Sequence, residues 1–205
     1  MLIRVLSALV MLPLLLAVLF LLPPWGTLLF ALLAVAGGVW EYAALSKALG
    51  APLPRVVTMA GAMAACASFI VVEPPLVAVL SAIVIAVAGL AVAGGHPTRD
   101  MLAAVASAAF AALWIGIPLG TIVAIREFGG AEMVLPLIFT IVVSDSAQYY
   151  VGRAFGRRAL SPLISPKKTV EGAIGGMVFA IPAMVWAGSR FLPLIEWPWL
   201  ALLGA

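Results

Sequence analysis

The run Leu76-Val77-Ala78-Val79-Leu80-Ser81-Ala82-Ile83-Val84-Ile85-Ala86-Val87-Ala88-Gly89-Leu90-Ala91-Val92-Ala93 contains no charged residue, and its only polar side chain is Ser81. A helix rises about 1.5 Å per residue, so roughly 20 such residues cross a hydrocarbon layer about 30 Å thick. Lipid offers no partner to a backbone N–H or C=O, and a helix satisfies both within itself. The run therefore predicts a membrane-spanning helix. Similar runs cover 2–22, 25–44, 56–72, 101–125, 133–150 and 170–188, punctuated by Pro23-Pro24, Gly50-Ala51-Pro52 and Gly129-Gly130. Although 2–22 has the early Arg4 and leucines of a signal peptide, no small-x-small cleavage site follows it, so it reads as a first membrane helix. The fold expected is an all-α, polytopic membrane protein with about seven transmembrane helices and the start of an eighth near Trp197. That last run ends at Ala205 without a polar stop, which reads as a fragment of a longer protein.

Composition agrees. Of the 205 residues 65% are hydrophobic and 9% charged, against about 25% charged in a soluble domain. So few charges cannot cover a soluble globule, which excludes a soluble enzyme, a disordered chain and a nucleic-acid-binding module. The formal net charge of +3 is a matter of loops rather than of a nucleic-acid partner. With the N-terminus in the cytoplasm, Arg4, Lys47, Arg55, Arg99, Arg153, Arg157, Arg158, Lys167 and Lys168 fall inside, and only Arg126 and Arg190 fall outside. The positive-inside rule thus puts the basic loop in the cytoplasm. The single Cys66 reads as a small packed residue and His96 as a plain loop residue.

Ionisable groups inside spans are expensive, and they mark candidate sites. Asp145, in Ile141-Val142-Val143-Ser144-Asp145-Ser146-Ala147-Gln148-Tyr149-Tyr150, falls near the cytoplasmic end of the sixth run. It reads either as a hydrated interfacial acid or as an oxygen ligand for a hard cation. Glu171 falls at the start of the seventh run, either as a first-turn acid favoured by the helix dipole or as part of a site. Glu41, in the second run, is a further acid with Lys47, Arg55 or the basic loop as candidate partners. Between Asp145 and Glu171 lie five cations. Ser165-Pro166 reads as an N-cap followed by a first-turn proline, which would place Lys167 and Lys168 in the first turn of a helix. Lysines there suit a bound anion, with phosphate the obvious one, although a basic loop also anchors on lipid headgroups. Gly172 and Gly176, four residues apart, predict a close helix contact. No phosphate-loop, dinucleotide-binding, zinc-protease or serine-hydrolase motif occurs, and no fixed-period repeat points to an inverted-repeat transporter.

These residues resemble the phosphatidate cytidylyltransferase (CDP-diacylglycerol synthase) family. The resemblance runs through Asp145-Ser146-Ala147-Gln148-Tyr149, Gly152-Arg153, Phe155-Gly156-Arg157, Leu160-Ser161-Pro162, Ser165-Pro166-Lys167-Lys168-Thr169-Val170-Glu171-Gly172 and Gly175-Gly176. Ala147 and Gln148 depart from the Gly and Ala of the family pattern. The family's C-terminal signature, whose aspartates are expected as the principal metal ligands, does not occur in the chain. The resemblance implies transfer of a cytidylyl group from CTP to phosphatidate in phospholipid biosynthesis. It also implies Mg2+ or another divalent cation, membrane lipids as surroundings, a homodimer, and a bacterial inner membrane with the site facing the cytoplasm. It further implies Asp145, Lys168 and Glu171 as catalytic residues, with Asp145 orienting the metal. Ser165, Lys167, Thr169, Arg153 and Arg157 would be substrate-binding residues. The domain organisation expected is 1–132 as N-terminal membrane helices and 133–205 as the start of a catalytic membrane domain bearing the basic loop 151–169. Residues 1–205 alone are expected to be inactive. Two other readings are a small transporter using Asp145 and Glu171, and a CTP-dependent transferase for another lipid phosphate. A transporter predicts polar groups at mid-depth in several spans, whereas those here cluster toward one side.

Overall fold

The computed structural model describes residues 2–71, 75–95, 98–162 and 165–205; His96 lies outside them. The chain divides into two compact units, Met1–Phe128 and Gly129–Ala205. In the first, the helices are α1 (Leu2–Leu21), α2 (Pro24–Ala48), α3 (Arg55–Ala67), α4 (Leu76–Ala93), α5 (Thr98–Ala111) and α6 (Ile117–Gly129, which runs one residue past the unit boundary). A π-turn, Ala112–Gly116, joins α5 to α6, so that Asp100–Gly129 is one long helix. The π-turn ends two residues before Pro118, which has no N–H to give the carbonyl of Trp114 and would crowd it in a regular helix. Among the described residues five helices are long and apolar enough to cross a membrane, and the Leu12–Leu21 part of α1 and the shorter helix Arg55–Ala67 are apolar too. The protein is an integral membrane protein.

The burial pattern is that of a bundle in lipid. In α2 the buried residues include Ala31, Val35, Val39 and Ala43, and in α4 they are Val79, Ile83, Val87 and Ala91, one side chain per turn. The remaining faces are also apolar, with Val77, Ile85 and Val92 exposed. Water would penalise such a surface; lipid does not. Association must then come from close packing, and small residues supply it. A Cβ on Gly116 would come to 2.5 Å from the Ala62 carbonyl oxygen, and one on Gly120 to 2.6 Å from that of Cys66. The backbones of α3 and the long helix therefore touch, with Cys66 fully buried in the contact as a small packed residue. The Arg126 Nε donates to the Leu19 carbonyl at 2.9 Å. That carbonyl has no helical partner, because the residue four positions on is Pro23. Arg55 lies over the Trp40 ring, 5.1 Å from its centroid, rather than against Glu41.

The second unit contains a 3₁₀ turn (Ala131–Val134), α7 (Leu135–Phe155), strands β1 (Ala159–Ser161) and β2 (Ser165–Thr169), α8 (Val170–Phe191) and α9 (Trp197–Leu203). Among the described residues the fold is thus all-α but for one antiparallel strand pair. Helices α7 and α8 run antiparallel, Gly152 against Gly172 and Gln148 against Gly176. The four-residue glycine spacing does bring the helices together. Helix α9 turns back along α8, with Leu200 filling the space over Gly188 and Gly204 meeting Ile181 and Met184.

Candidate functional site

The junction between α7 and α8 holds most of the residues singled out in the sequence. Helix α7 extends to Phe155, so Asp145 sits near its middle rather than near the end expected to face the cytoplasm. The cause is the run Val151–Phe155, which continues the helix past the last strongly apolar residues. Asp145 is exposed on α7, as is Ser146, while Gln148 donates to Ser144 Oγ at 3.3 Å. Further along α7, the Arg153 guanidinium donates to the Tyr149 hydroxyl at 3.3 Å. The helix ends at Gly156, whose φ of −62° and ψ of 122° turn the chain outward.

The start of α8 corrects the expectation for Ser165-Pro166. These residues open a strand, not a helix, so Lys167 and Lys168 lie in β2. The register pairs Ala159 with Thr169 and Ser161 with Ser165. Leu160 on β1 is therefore opposed by Pro166, Lys167 and Lys168 on β2. Pro166 has no N–H to give the ladder, and the strand bulges there. Both lysines are exposed in the bulge. Thr169 is the N-cap instead; its Oγ1 accepts from the Gly172 N–H at 3.1 Å. The Val170 N–H is spent on the Arg158 carbonyl at 2.9 Å. With two of its first three N–H groups taken, the start of α8 differs from the open helix N-terminus that Ser165-Pro166 suggested. Cationic side chains from the hairpin and the end of α7 stand beside it.

Glu171 lies in the first turn of α8. Its Oε2 accepts from the backbone N–H groups of Arg157 at 3.0 Å and Arg158 at 3.2 Å. Nothing in the sequence pointed to this pair; the signal was only an acid two residues into a helix and two residues just past a glycine terminus. Thr169 also fills the notch left by two glycines, since a Cβ on Gly152 would come to 2.9 Å from its Oγ1 and one on Gly156 to 2.6 Å from its Cγ2. The structure thus gathers Arg153, Arg157, Lys167, Lys168, Ser165, Thr169 and Glu171 at one end of the helix pair. It does not bring Asp145 and Glu171 together. With Gly152 facing Gly172, Glu171 is level with Arg153, roughly 12 Å along α7 from Asp145 at about 1.5 Å per residue.

Among the described residues no three His, Cys, Asp or Glu side chains cluster as a metal site. Asp145, exposed on α7, would offer a hard cation one carboxylate ligand, and Mg2+ is often held by one or two carboxylates with phosphate oxygens completing its shell. Chemically, the junction is suited to neutralising phosphates: five cationic side chains, Arg153, Arg157, Arg158, Lys167 and Lys168, fall within one short structure tied to the ends of two helices by hydrogen bonds.

Comparison with known proteins agrees with that chemistry. A model of the cytidylyltransferase family matches residues 2–205. Phosphatidate cytidylyltransferase of Aquifex aeolicus is 53% identical over 45 residues, 22% of this chain and 17% of the relative. The enzyme of the same name from Bacillus subtilis is 40% identical over 73 residues, 35% and 27% of the two chains. That of Mycobacterium bovis is 32% identical over 115 residues, 54% and 37%. The chain therefore matches little more than a third of these relatives at most. On the match that spans it nearly end to end, the chain belongs to the cytidylyltransferase family.

Proposed function

We propose that the protein is a nucleotidyltransferase of phospholipid biosynthesis that converts CTP and phosphatidate into CDP-diacylglycerol and diphosphate. A phosphate oxygen of the lipid attacks the α-phosphorus of CTP; the bond from that phosphorus to the bridging oxygen breaks, and diphosphate leaves with the bond's electron pair. Both substrates are polyanions, so the chief obstacle is bringing like charges together, and positioned cations lower it. The observation that carries this reading is the basic hairpin, whose Lys167 and Lys168 stand exposed in a bulge fastened to the ends of α7 and α8. Lys168 holds the reacting phosphates, with Lys167, Arg153, Arg157 and the Ser165 hydroxyl in support. The Thr169 hydroxyl already accepts from the Gly172 N–H, which leaves its single proton to donate to a phosphate oxygen. Asp145 would give one ligand to Mg2+ or a similar ion, which when bound supplies further neutralisation of the phosphates. The distribution of Lys and Arg supports a hairpin facing the cytoplasm, where CTP is found.

The test is Lys168→Ala in the protein in its native membrane, with CDP-diacylglycerol formed from labelled CTP and phosphatidate as the readout. Loss of one cation that stabilises phosphate charge should lower turnover about 10²- to 10³-fold at unchanged expression. Normal turnover by the variant would sink the assignment.

A further inference from the structure

We propose that Glu171 is a positioning residue rather than a metal ligand or general base: through two backbone N–H groups it holds the Arg157–Arg158 segment against the start of α8. The inference rests on the cytidylyltransferase reading of the site and assigns this carboxylate its part in it. Three observations carry it. First, Oε2 accepts from both Arg157 and Arg158, at 3.0 and 3.2 Å. These N–H groups fall just beyond the end of α7 at Gly156, where no helical carbonyl is turned toward them. Second, Arg158 is held from both sides, because its carbonyl accepts from Val170 at 2.9 Å. The path of the segment bearing two cations is therefore set by the first two residues of α8. Third, Glu171 is badly placed to share an ion with Asp145. The two lie roughly 12 Å apart along the helix axes. Side chains on a helix also lean toward its N-terminus, and in an antiparallel pair that leans Glu171 toward the hairpin and Asp145 away from it.

A carboxylate used this way does its work by accepting hydrogen bonds, which an amide oxygen also does, though about half as strongly. A metal ligand or a base needs the charge itself. Glu171→Gln and Glu171→Ala therefore separate the two roles. In the protein in its native membrane, Glu171→Ala should lower kcat/KM for CTP by about 100-fold, mostly through KM, as misplacing a binding group does. Glu171→Gln should recover most of that, staying within about tenfold of wild type. The Mg2+ concentration for half-maximal rate should be the same in Glu171→Gln as in wild type. A Glu171→Gln protein as impaired as Glu171→Ala, or one needing tenfold more Mg2+, would overturn the proposal.

Amide hydrogen exchange of the peptide containing Arg157 and Arg158 gives a readout that needs no turnover. It should quicken about tenfold or more in Glu171→Ala and little in Glu171→Gln. Unchanged exchange in Glu171→Ala would mean that the clip is absent. Absence of CDP-diacylglycerol from the wild type, with exchange still responding to Glu171→Ala, would reject the cytidylyltransferase reading and keep the clip.

Discussion

Replacing Gly172 by alanine adds one carbon where the backbones of α7 and α8 approach closely. That Cβ would lie 2.8 Å from the Gln148 carbonyl oxygen, 3.0 Å from Thr169 Oγ1 and 3.1 Å from the Gly152 Cα. Ordinary carbon–oxygen contacts in such helix crossings are about 3.3–3.6 Å, so the helices must part by roughly half an ångström. Overpacking of this kind costs about 1–3 kcal/mol, and displacing the capping Thr169 adds up to about 1. Against this, alanine in place of glycine in a helix gains at most about 1 kcal/mol. The expected net loss of about 1–3 kcal/mol corresponds to a fall in Tm of roughly 2–12 °C for a chain of this size. The control is the same substitution at Gly89 in α4, where a Cβ would have nothing within 4 Å. There only the propensity gain operates, so Gly89→Ala should raise Tm by roughly 2–4 °C. Thermal denaturation in detergent, followed by the loss of monodisperse protein on size exclusion, reads both. Gly172→Ala melting at or above wild type, or Gly89→Ala falling with it, would refute the close contact.

The Arg126 guanidinium serves a carbonyl that the Pro23-Pro24 pair leaves without a helical partner, so Arg126→Ala should cost roughly 1.5–3 kcal/mol. The same melting experiment checks it, and a Tm within about 1 °C of wild type would be inconsistent with the cap. For orientation, Leu160 at the exposed hairpin becomes a labelling site in a Cys66→Ser, Leu160→Cys variant. A membrane-impermeant maleimide should label it in inverted vesicles and not in right-side-out ones; the reverse would turn the topology over.

Hydrophobic run length made the helices legible in the sequence, and it did so because lipid imposes a period-independent rule on every span. The same rule blurred the ends. Asp145 was placed near the end of its helix because apolarity fades after Val143, yet the hydrogen-bond ladder runs on through Arg153 to Phe155. Which residues meet at the junction was legible, but not their geometry. Ser165-Pro166 and Thr169-Val170 are both sound helix starts by residue type, four residues apart. Pairing with Ala159–Ser161 decides between them, and that is a tertiary fact absent from either dipeptide. The close approach at Gly172 followed from its spacing, whereas the grip of Glu171 on two backbone N–H groups depends on where Gly156 turns the chain.

Moving Lys167 and Lys168 from a helical turn to a strand bulge changes how an anion is held. At a helix N-terminus, backbone N–H groups and the dipole share the charge, and that part of the attraction is directional and near-contact. In the bulge, the attraction comes from two ammonium groups standing in solvent. Exposed charges interact with a ligand over a distance that salt cuts from about 30 Å at 0.01 M to about 8 Å at 0.15 M. Each exposed pair is worth roughly 0.2–1 kcal/mol, so two together account for about a 2- to 30-fold difference in affinity that screening can remove. The KM for CTP should therefore climb several-fold when ionic strength is raised from about 0.05 to 0.5 M at constant free Mg2+. In a Lys167→Ala, Lys168→Ala variant the KM should begin high and respond less to salt. Residual turnover is followed at enzyme concentrations raised to match. A wild-type KM indifferent to salt, or a variant with the same salt slope, would show that the lysines do not meet the nucleotide's charge from the bulge.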